Sequence, residues 1–104
     1  MEICSYSTYK KRENPRGYAS YDGGGKSWYR ETVDATLRNN GWEFATEDYD
    51  LGLFSKHKPK DVAEDSIRSL FDEDFINSHR FVYYAKYASG NYYYDILKVY
   101  YKSK

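Results

Sequence analysis

The C-terminal part of the chain contains two runs of alternating polar and apolar residues, and these runs constrain the fold more than any other feature. They cover residues 80–88 and 92–102, with Ser89-Gly90-Asn91 between them. Both are rich in aromatic and β-branched side chains, which favour strands. Glycine beside asparagine is typical of a tight turn. The pattern therefore predicts a β-hairpin over about residues 80–102.

Alternation assigns the hairpin side chains to two faces, because successive residues of a strand point to opposite sides of a sheet. One face carries Phe81, Tyr83, Ala85, Tyr87, Tyr93, Leu97, Val99 and Tyr101, with Asp95 as its one charge. The other carries Arg80, Val82, Tyr84, Lys86, Ala88, Tyr92, Tyr94, Ile96, Lys98, Tyr100 and Lys102. The basic residues fall only on the second face. We therefore expect the first face to pack against helices and the second to be open to solvent.

A first helix is predicted over about residues 27–40. Ser27 would cap its start, because a serine side chain can accept a hydrogen bond from the free backbone N–H groups there. Asp34 and Arg38 are four residues apart, the spacing at which opposite charges pair on one face of a helix.

The end of this helix is predicted from Gly41. Glycine adopts the left-handed conformation that terminates many helices, and Trp42 behind it would pack on Leu37 in a Schellman motif. In the alternative, the same residues form a strand that turns at Asn40-Gly41 into a second strand. The helix accounts for both the N-terminal cap and the packing of Trp42, and is therefore favoured.

A second helix is predicted over about residues 60–76, after Pro59, which suits a first helical turn. Its apolar stripe consists of Ala63, Ile67, Leu70 and Phe71. The acidic run of residues 72–74 fits poorly at a helix C-terminus, where the helix dipole is negative. We expect the first stretch to end near Phe71, and Asp72 or Asp74 to cap a further turn.

Shorter strands are predicted in the rest of the chain. They are Glu2–Lys10, Gly17–Asp22, Trp42–Thr46 and Leu51–Ser55, with a turn at Glu47–Asp50. At 104 residues the chain has the size of one domain. The expected fold is a single α+β domain, residues 1–104, in which an antiparallel sheet with the C-terminal hairpin packs on the two helices.

Acidic and basic residues balance over the whole chain, with 16 of each, but they are unevenly distributed. Residues 43–74 hold ten acidic and four basic side chains, whereas residues 1–30 and 75–104 are both basic. Such a separation can steer a charged partner. The acidic middle segment is also a candidate surface that mimics nucleic acid and occupies a basic groove of a partner.

The expected location is the cytoplasm. Cys4 is the only cysteine, so no intramolecular disulfide can form. The sequence contains no run of about 18 apolar residues and no signal-peptide pattern, so no membrane span is expected.

The sequence shows no recognisable active site. Gly25-Lys26-Ser27 is similar to the end of a phosphate-binding loop, but Ser20 stands where that loop requires its first glycine. His57, His79 and Cys4 do not have metal-ligand spacing. We therefore expect no enzyme activity, no catalytic residue, no cofactor and no metal, and at most weak anion binding by residues 23–27 at the start of the first helix.

The tyrosine content indicates a binding surface. Fourteen tyrosines are more than a core of this size can bury, because each buried hydroxyl needs a hydrogen-bond partner. The expected partner-binding residues are Tyr84, Lys86, Tyr92, Tyr94, Lys98, Tyr100 and Lys102. A protein partner is favoured, because tyrosine concentrates binding energy at interfaces and the chain is not basic overall. The alternatives are single-stranded nucleic acid on the same face, through base stacking between cations, and a symmetric homodimer.

The general character of the chain is similar to that of small accessory proteins of phages and mobile elements, which are short, aromatic, highly charged and without catalytic motifs. Many of those proteins block a host complex, anti-CRISPR proteins among them. This similarity implies an inhibitor that acts by binding, and it rests on overall character.

Overall fold

The computed structural model describes residues 1–13, 30–48, 58–87 and 94–104, with side chains except at 30–32, 86–87 and 94–95. The strands are β1 (Glu2–Ser5), β2 (Glu43–Asp48), β3 (His79–Tyr87) and β4 (Tyr94–Ser103), and the helices are α1 (Tyr6–Glu13), α2 (Arg30–Asn39), α3 (Pro59–Leu70) and α4 (Glu73–Ser78). The expected α+β class is confirmed. The strands predicted at Gly17–Asp22 and Leu51–Ser55 lie outside the described residues. None of the described helices is long and apolar enough to cross a membrane.

The described strands form one mixed sheet in the order β1-β3-β4-β2. β3 and β4 pair antiparallel, as the predicted hairpin requires, and β4 also pairs antiparallel with β2. β1 runs parallel to β3, so the sheet is antiparallel only in its larger part. β2 continues through Asp48, and the prediction of a turn beginning at Glu47 is therefore wrong.

Helices cover both faces of the sheet. α1 and α2 pack on one face and bury a cluster that we call the tyrosine core: Tyr6, Tyr9, Val33, Leu37, Trp42, Val82, Tyr84 and Tyr100. α3 and α4 pack on the other face and bury the aliphatic core: Ala63, Ile67, Ile76, Phe81, Leu97 and Val99. The two predicted helices thus lie on opposite sides of the hairpin, whereas the sequence indicated that they share one side.

The N-terminal segment is a strand only as far as Ser5, so the prediction of a strand over Glu2–Lys10 is wrong beyond that residue. Ser5 caps α1, because its Oγ accepts a hydrogen bond from the Thr8 backbone N–H at 3.2 Å. Tyr6 and Tyr9 are three residues apart, and the helix places both on its buried side.

The predicted C-terminus of α2 is confirmed in detail. Gly41 has φ +89°, its N–H donates to the Arg38 carbonyl at 3.1 Å, and the Trp42 N–H donates to the Leu37 carbonyl at 3.0 Å. These are the two hydrogen bonds of a Schellman motif. Trp42 and Leu37 both belong to the tyrosine core. The alternative hairpin at Asn40-Gly41 is therefore wrong, and Ser27 lies outside the described residues.

The second predicted helix forms two helices. α3 begins at Pro59, as expected, and its last residue is Leu70. Asp72 then caps α4, with its Oδ1 accepting a hydrogen bond from the Phe75 N–H at 2.8 Å. Acidic residues therefore stand at the N-terminus of a new helix, where the dipole favours them.

Candidate functional site

Part of the expected tyrosine and lysine binding face lies beneath helices. Tyr84 is 6% exposed and Tyr100 is completely buried, so the expectation that they lie on an open face is wrong. Tyr6 of α1 meets the Tyr84 ring edge-on at 6.1 Å between ring centroids. The physical reason for the error is α1: a segment predicted as another strand is a helix that covers this face. A partner can reach the two rings only if a helix moves away.

Two lysines of the same face are held by contacts within the fold. Lys98 Nζ lies 3.7 Å from Glu47 Oε1 and 5.6 Å from the centre of the Phe44 ring. Lys102 Nζ donates to the Asn40 carbonyl at 2.7 Å. An ion pair and a hydrogen bond thus satisfy these two ammonium groups, so a lysine on a strand does not require an open face around it.

The remaining expected site residues are only partly described. Lys86 belongs to β3 and Tyr94 to β4, but the structure describes neither side chain. Tyr92 lies outside the described residues.

Tyr100 forms the main polar contact of the tyrosine core. Its hydroxyl donates to Asp34 Oδ1 at 2.7 Å, and Arg38 Nε donates to Asp34 Oδ2 at 2.8 Å. Burial, together with the hydrogen bond to Asp34, raises the pKa of Tyr100. Burial alone would raise the pKa of Asp34, but the hydrogen bonds from Tyr100 and Arg38 outweigh it and lower that pKa. The arrangement keeps a neutral hydroxyl on a carboxylate, which suits structure rather than proton transfer.

The outer side of α3 and α4 carries more acidic than basic exposed residues, with Lys58, Lys60 and Arg68 as the basic ones, and we call it the acidic helical surface. Its exposed acidic residues are Asp61, Asp65, Asp72, Glu73 and Asp74. The surface follows from helical periodicity, because Ala63 and Ile67 face the sheet and leave Asp61 and Asp65 outside. Glu64 is half-buried and lies 3.7 Å from Arg68, so one acidic residue of α3 is locally compensated.

An apolar ridge borders the acidic helical surface. Leu70, expected in the buried stripe of its helix, is 52% exposed. Next to it Phe71 is half-buried and stacks on Phe75 with ring centroids 4.2 Å apart. Phe75 in turn stacks on His79 at 3.8 Å, and Tyr101 meets these rings edge-on. A large exposed apolar side chain thus precedes a half-buried ring in the chain, with Arg68 two residues before it and the acidic residues 72–74 after it.

On the opposite side of the sheet, two cations flank Trp42. The Arg80 guanidinium carbon lies 5.5 Å from the centre of the Trp42 ring, and Lys102 Nζ lies 6.0 Å from it. Arg80 and Lys102 are direct partners across β3 and β4, and Glu2 is the partner of Arg80 on β1. We call the exposed rim formed by these two cations and by Lys11 and Arg12 of α1 the basic end.

Cys4 and His79 are the described thiol and imidazole side chains. Burial raises the pKa of the Cys4 thiol, although Arg12 acts in the opposite direction, so the reactive thiolate is disfavoured. His79 Nδ1 lies 2.9 Å from both the Phe75 carbonyl oxygen and Ser78 Oγ, at the end of α4. Within the described ranges, no three His, Cys, Asp or Glu residues are grouped so that they could hold a metal ion. His57 and the glycine run at 23–25 lie outside those ranges.

Comparison with protein-family models, with curated proteins and with solved structures gives no match. Two features of the surface were missed in the sequence. Leu70 could not be distinguished from a core residue by periodicity, and the basic end joins three elements that are far apart in the chain. The acidic run at 72–74 was visible in the sequence, and it supplies three of the five exposed acidic residues of the acidic helical surface.

Proposed function

We propose that this chain is a small non-enzymatic protein-binding module, and that it engages a basic surface of its partner through the acidic helical surface and Leu70. The observation that carries the proposal is the 52% exposure of Leu70 beside half-buried aromatic rings. An isolated exposed leucine is ordinary, but one that directly precedes a half-buried aromatic cluster, with acidic residues close by in the chain, is a candidate centre of a binding site.

The charges around the ridge define the kind of partner. Asp72 follows Leu70 by two residues, Glu73 and Asp74 stand in the first turn of α4, and Arg68 is the one basic residue in the last turn of α3. Like-signed side chains around an apolar centre speed the approach of an oppositely charged surface and reject surfaces of the same sign. The apolar ridge would then supply most of the binding energy, since buried apolar groups at the centre of an interface dominate affinity.

A basic groove that normally holds nucleic acid is the partner surface that suits this arrangement best. Such grooves are lined by lysine and arginine side chains that contact phosphates. Carboxylates on α3 and α4 would occupy the phosphate positions. Together with the similarity to small accessory proteins of phages and mobile elements, this supports an inhibitor that blocks a host complex, of the anti-defence or anti-CRISPR type.

The test is affinity capture from an extract of the native host, with bound proteins identified by mass spectrometry. Wild-type protein should retain a specific partner. Leu70→Ser should lose it without unfolding, because the side chain is already exposed. Glu73→Gln with Asp74→Asn should also weaken retention, and salt should weaken it further.

The matched control is Glu13→Gln with Asp48→Asn, which removes the same two negative charges from α1 and β2. This variant should retain the partner as the wild type does. A partner that all these variants hold equally well would rule out the acidic helical surface as the contact.

A further inference from the structure

The basic end lies on the side of the sheet opposite the acidic helical surface, and nothing in the proposed function uses it. The parallel pairing of β1 with β3 sets Glu2 beside Arg80, and the antiparallel pairing of β3 with β4 sets Arg80 beside Lys102. Tyr9 of α1 packs on Trp42 with ring centroids 5.4 Å apart. The last turn of α1 therefore lies near the row formed by Glu2, Arg80 and Lys102.

The positive charges of this row are incompletely balanced. Like charges directly opposite each other on neighbouring strands repel. Glu2 Oε2 is 4.0 Å from Arg80 Nε, too far for a hydrogen bond, and Arg80 Nε is shielded from solvent without a hydrogen bond to any described residue. The Trp42 ring attracts both cations, but it carries no net charge. An anion between the two side chains would relieve their repulsion.

Arg12 of α1 extends the same surface, and Lys11 precedes it in the chain. Lys11 and Arg12 are exposed in the last turn of the helix. Burial raises the pKa of the Cys4 thiol, and the positive charges of Arg12 and Arg80 act against that rise. Arg12 at the end of α1 and Arg80 in the strand row therefore both lie near Cys4. The acidic residues nearby are Glu2 and Glu13, so positive charge exceeds negative charge among the described residues of this region.

We infer that the basic end binds the phosphate backbone of a nucleic acid. The cations stand on three separate elements, so one small phosphate would reach only some of them, whereas a polyanion can contact several at once and release counterions from each contact. The guanidinium groups of Arg12 and Arg80 match phosphate oxygens in geometry. Trp42 is 4% exposed and cannot act as a stacking platform, so the contact should be indifferent to base sequence.

The first experiment measures fluorescence anisotropy of a labelled oligothymidylate at several salt concentrations. Wild-type protein should bind, with affinity falling steeply as salt rises. Lys11→Gln with Arg12→Gln should weaken binding by about tenfold or more and reduce the log–log salt slope by about 1.4, the value for two single-strand phosphate contacts.

The matched control is Lys58→Gln with Lys60→Gln, which removes the same charge from exposed positions at the start of α3. It should bind as the wild type does. Equal weakening by both double variants, or no wild-type binding at low salt, would overturn the inference. Circular dichroism confirms that each variant is folded. Leu70→Ser should bind oligothymidylate normally, so this result and the capture experiment can fail independently.

The second experiment uses Cys4 as a reporter, since it is the only thiol in the chain. Oligothymidylate should slow alkylation of Cys4 by iodoacetamide, because a bound polyanion covers the site and disfavours the thiolate. Inorganic phosphate and polyglutamate at matched charge concentration should protect much less. Equal protection by inorganic phosphate would point to a small-anion site, and equal protection by polyglutamate to an acidic protein surface; either result would overturn the assignment to nucleic acid.

Discussion

The two faces of the sheet are buried by different chemistry. The tyrosine core contains four tyrosines and a tryptophan among its eight residues, whereas the aliphatic core contains one ring among six. A phenol can be buried when its hydroxyl has a partner, and Tyr100 meets this condition through Asp34. The comparison shows that a high tyrosine content need not produce an exposed tyrosine surface, because one side of a sheet can absorb several rings.

The outer surfaces of the two sides of the sheet differ in charge. On the side of the tyrosine core, the last turn of α1 carries the basic residues Lys10, Lys11 and Arg12. The helices over the aliphatic core carry the acidic helical surface. A domain with zero net charge therefore presents two surfaces of opposite sign, and each suits a partner that the other would repel.

Truncating one large ring on each side of the sheet should have the largest effect on stability. Tyr100→Ala and Phe81→Ala should each lower the free energy of unfolding by about 3–5 kcal/mol, because each removes a fully buried ring and leaves a cavity. Urea denaturation followed by circular dichroism measures both. Leu70→Ala is the exposed control, with an expected loss of under about 1 kcal/mol. A loss for Tyr100→Ala as small as the control would show that helices do not cover this ring.

The polar contact of the tyrosine core should contribute the next largest effect. Tyr100→Phe keeps the ring but removes the hydroxyl that donates to Asp34, and should cost about 1.5–3 kcal/mol, the range for hydrogen bonds to charged groups. The aliphatic core contains no equivalent contact among its members. In an Asp34→Asn background the same substitution should cost less. An identical cost in both backgrounds would mean that the hydroxyl and the carboxylate are not coupled.

The two longer helices end differently, and Gly41→Ala tests the difference. α2 ends on Gly41 at φ +89°, a conformation that side chains disfavour, whereas α3 ends on Phe71 at φ −126°, which any residue adopts. The substitution should cost about 1–2 kcal/mol by thermal or urea unfolding. The added Cβ would meet Lys102 Cε at 3.3 Å, a flexible side-chain end that can give way, so strain dominates. Ser69→Ala in α3 should change stability by less than about 0.5 kcal/mol; a Gly41→Ala loss no larger than that would argue against the left-handed terminus.

The smallest expected effect is an acid dependence confined to the tyrosine core. The pKa of Asp34 is lowered in the folded protein, so its contribution to stability is present above its ordinary pKa of 3.8 and is lost as the pH falls through the lower folded value. The difference in unfolding free energy between wild type and Asp34→Asn should therefore shrink between about pH 7 and about pH 2.5. A difference that is constant over this interval would mean that Asp34 is not stabilised as a carboxylate.

Local features of the fold were predictable because their causes are local. The Schellman end of α2 depends on Gly41 and its neighbours, and the cap of α4 depends on Asp72 three residues before Phe75. The hairpin follows from alternation within two adjacent runs. The hydrogen bonds of both helix termini join residues that are close in the chain, and the hairpin pairs two runs separated by one short segment, so the sequence pattern is enough to predict them.

The candidate surfaces were less predictable. Arg80 and Lys102 were correctly assigned to one face of the hairpin, but their proximity to Arg12 depends on the parallel pairing of β1 with β3. The exposure of Leu70 depends on how α3 packs on the rest of the fold. Alternation sorted the side chains of the hairpin into two groups, yet it carried no information about which group a helix would cover.

The sequence by itself determined four features: a hairpin with two distinct faces, a helix that stops at Gly41, an amphipathic helix beginning at Pro59, and an acidic run that starts a further helix. It did not determine α1, which was predicted as a strand. Only the tertiary structure decided that α1 and α2 share one side of the sheet while α3 and α4 share the other. The physical reason is that burial is a property of the whole assembly. A tyrosine on a strand is stable in water or under a helix, and the choice depends on which distant segment covers it and offers its hydroxyl a partner.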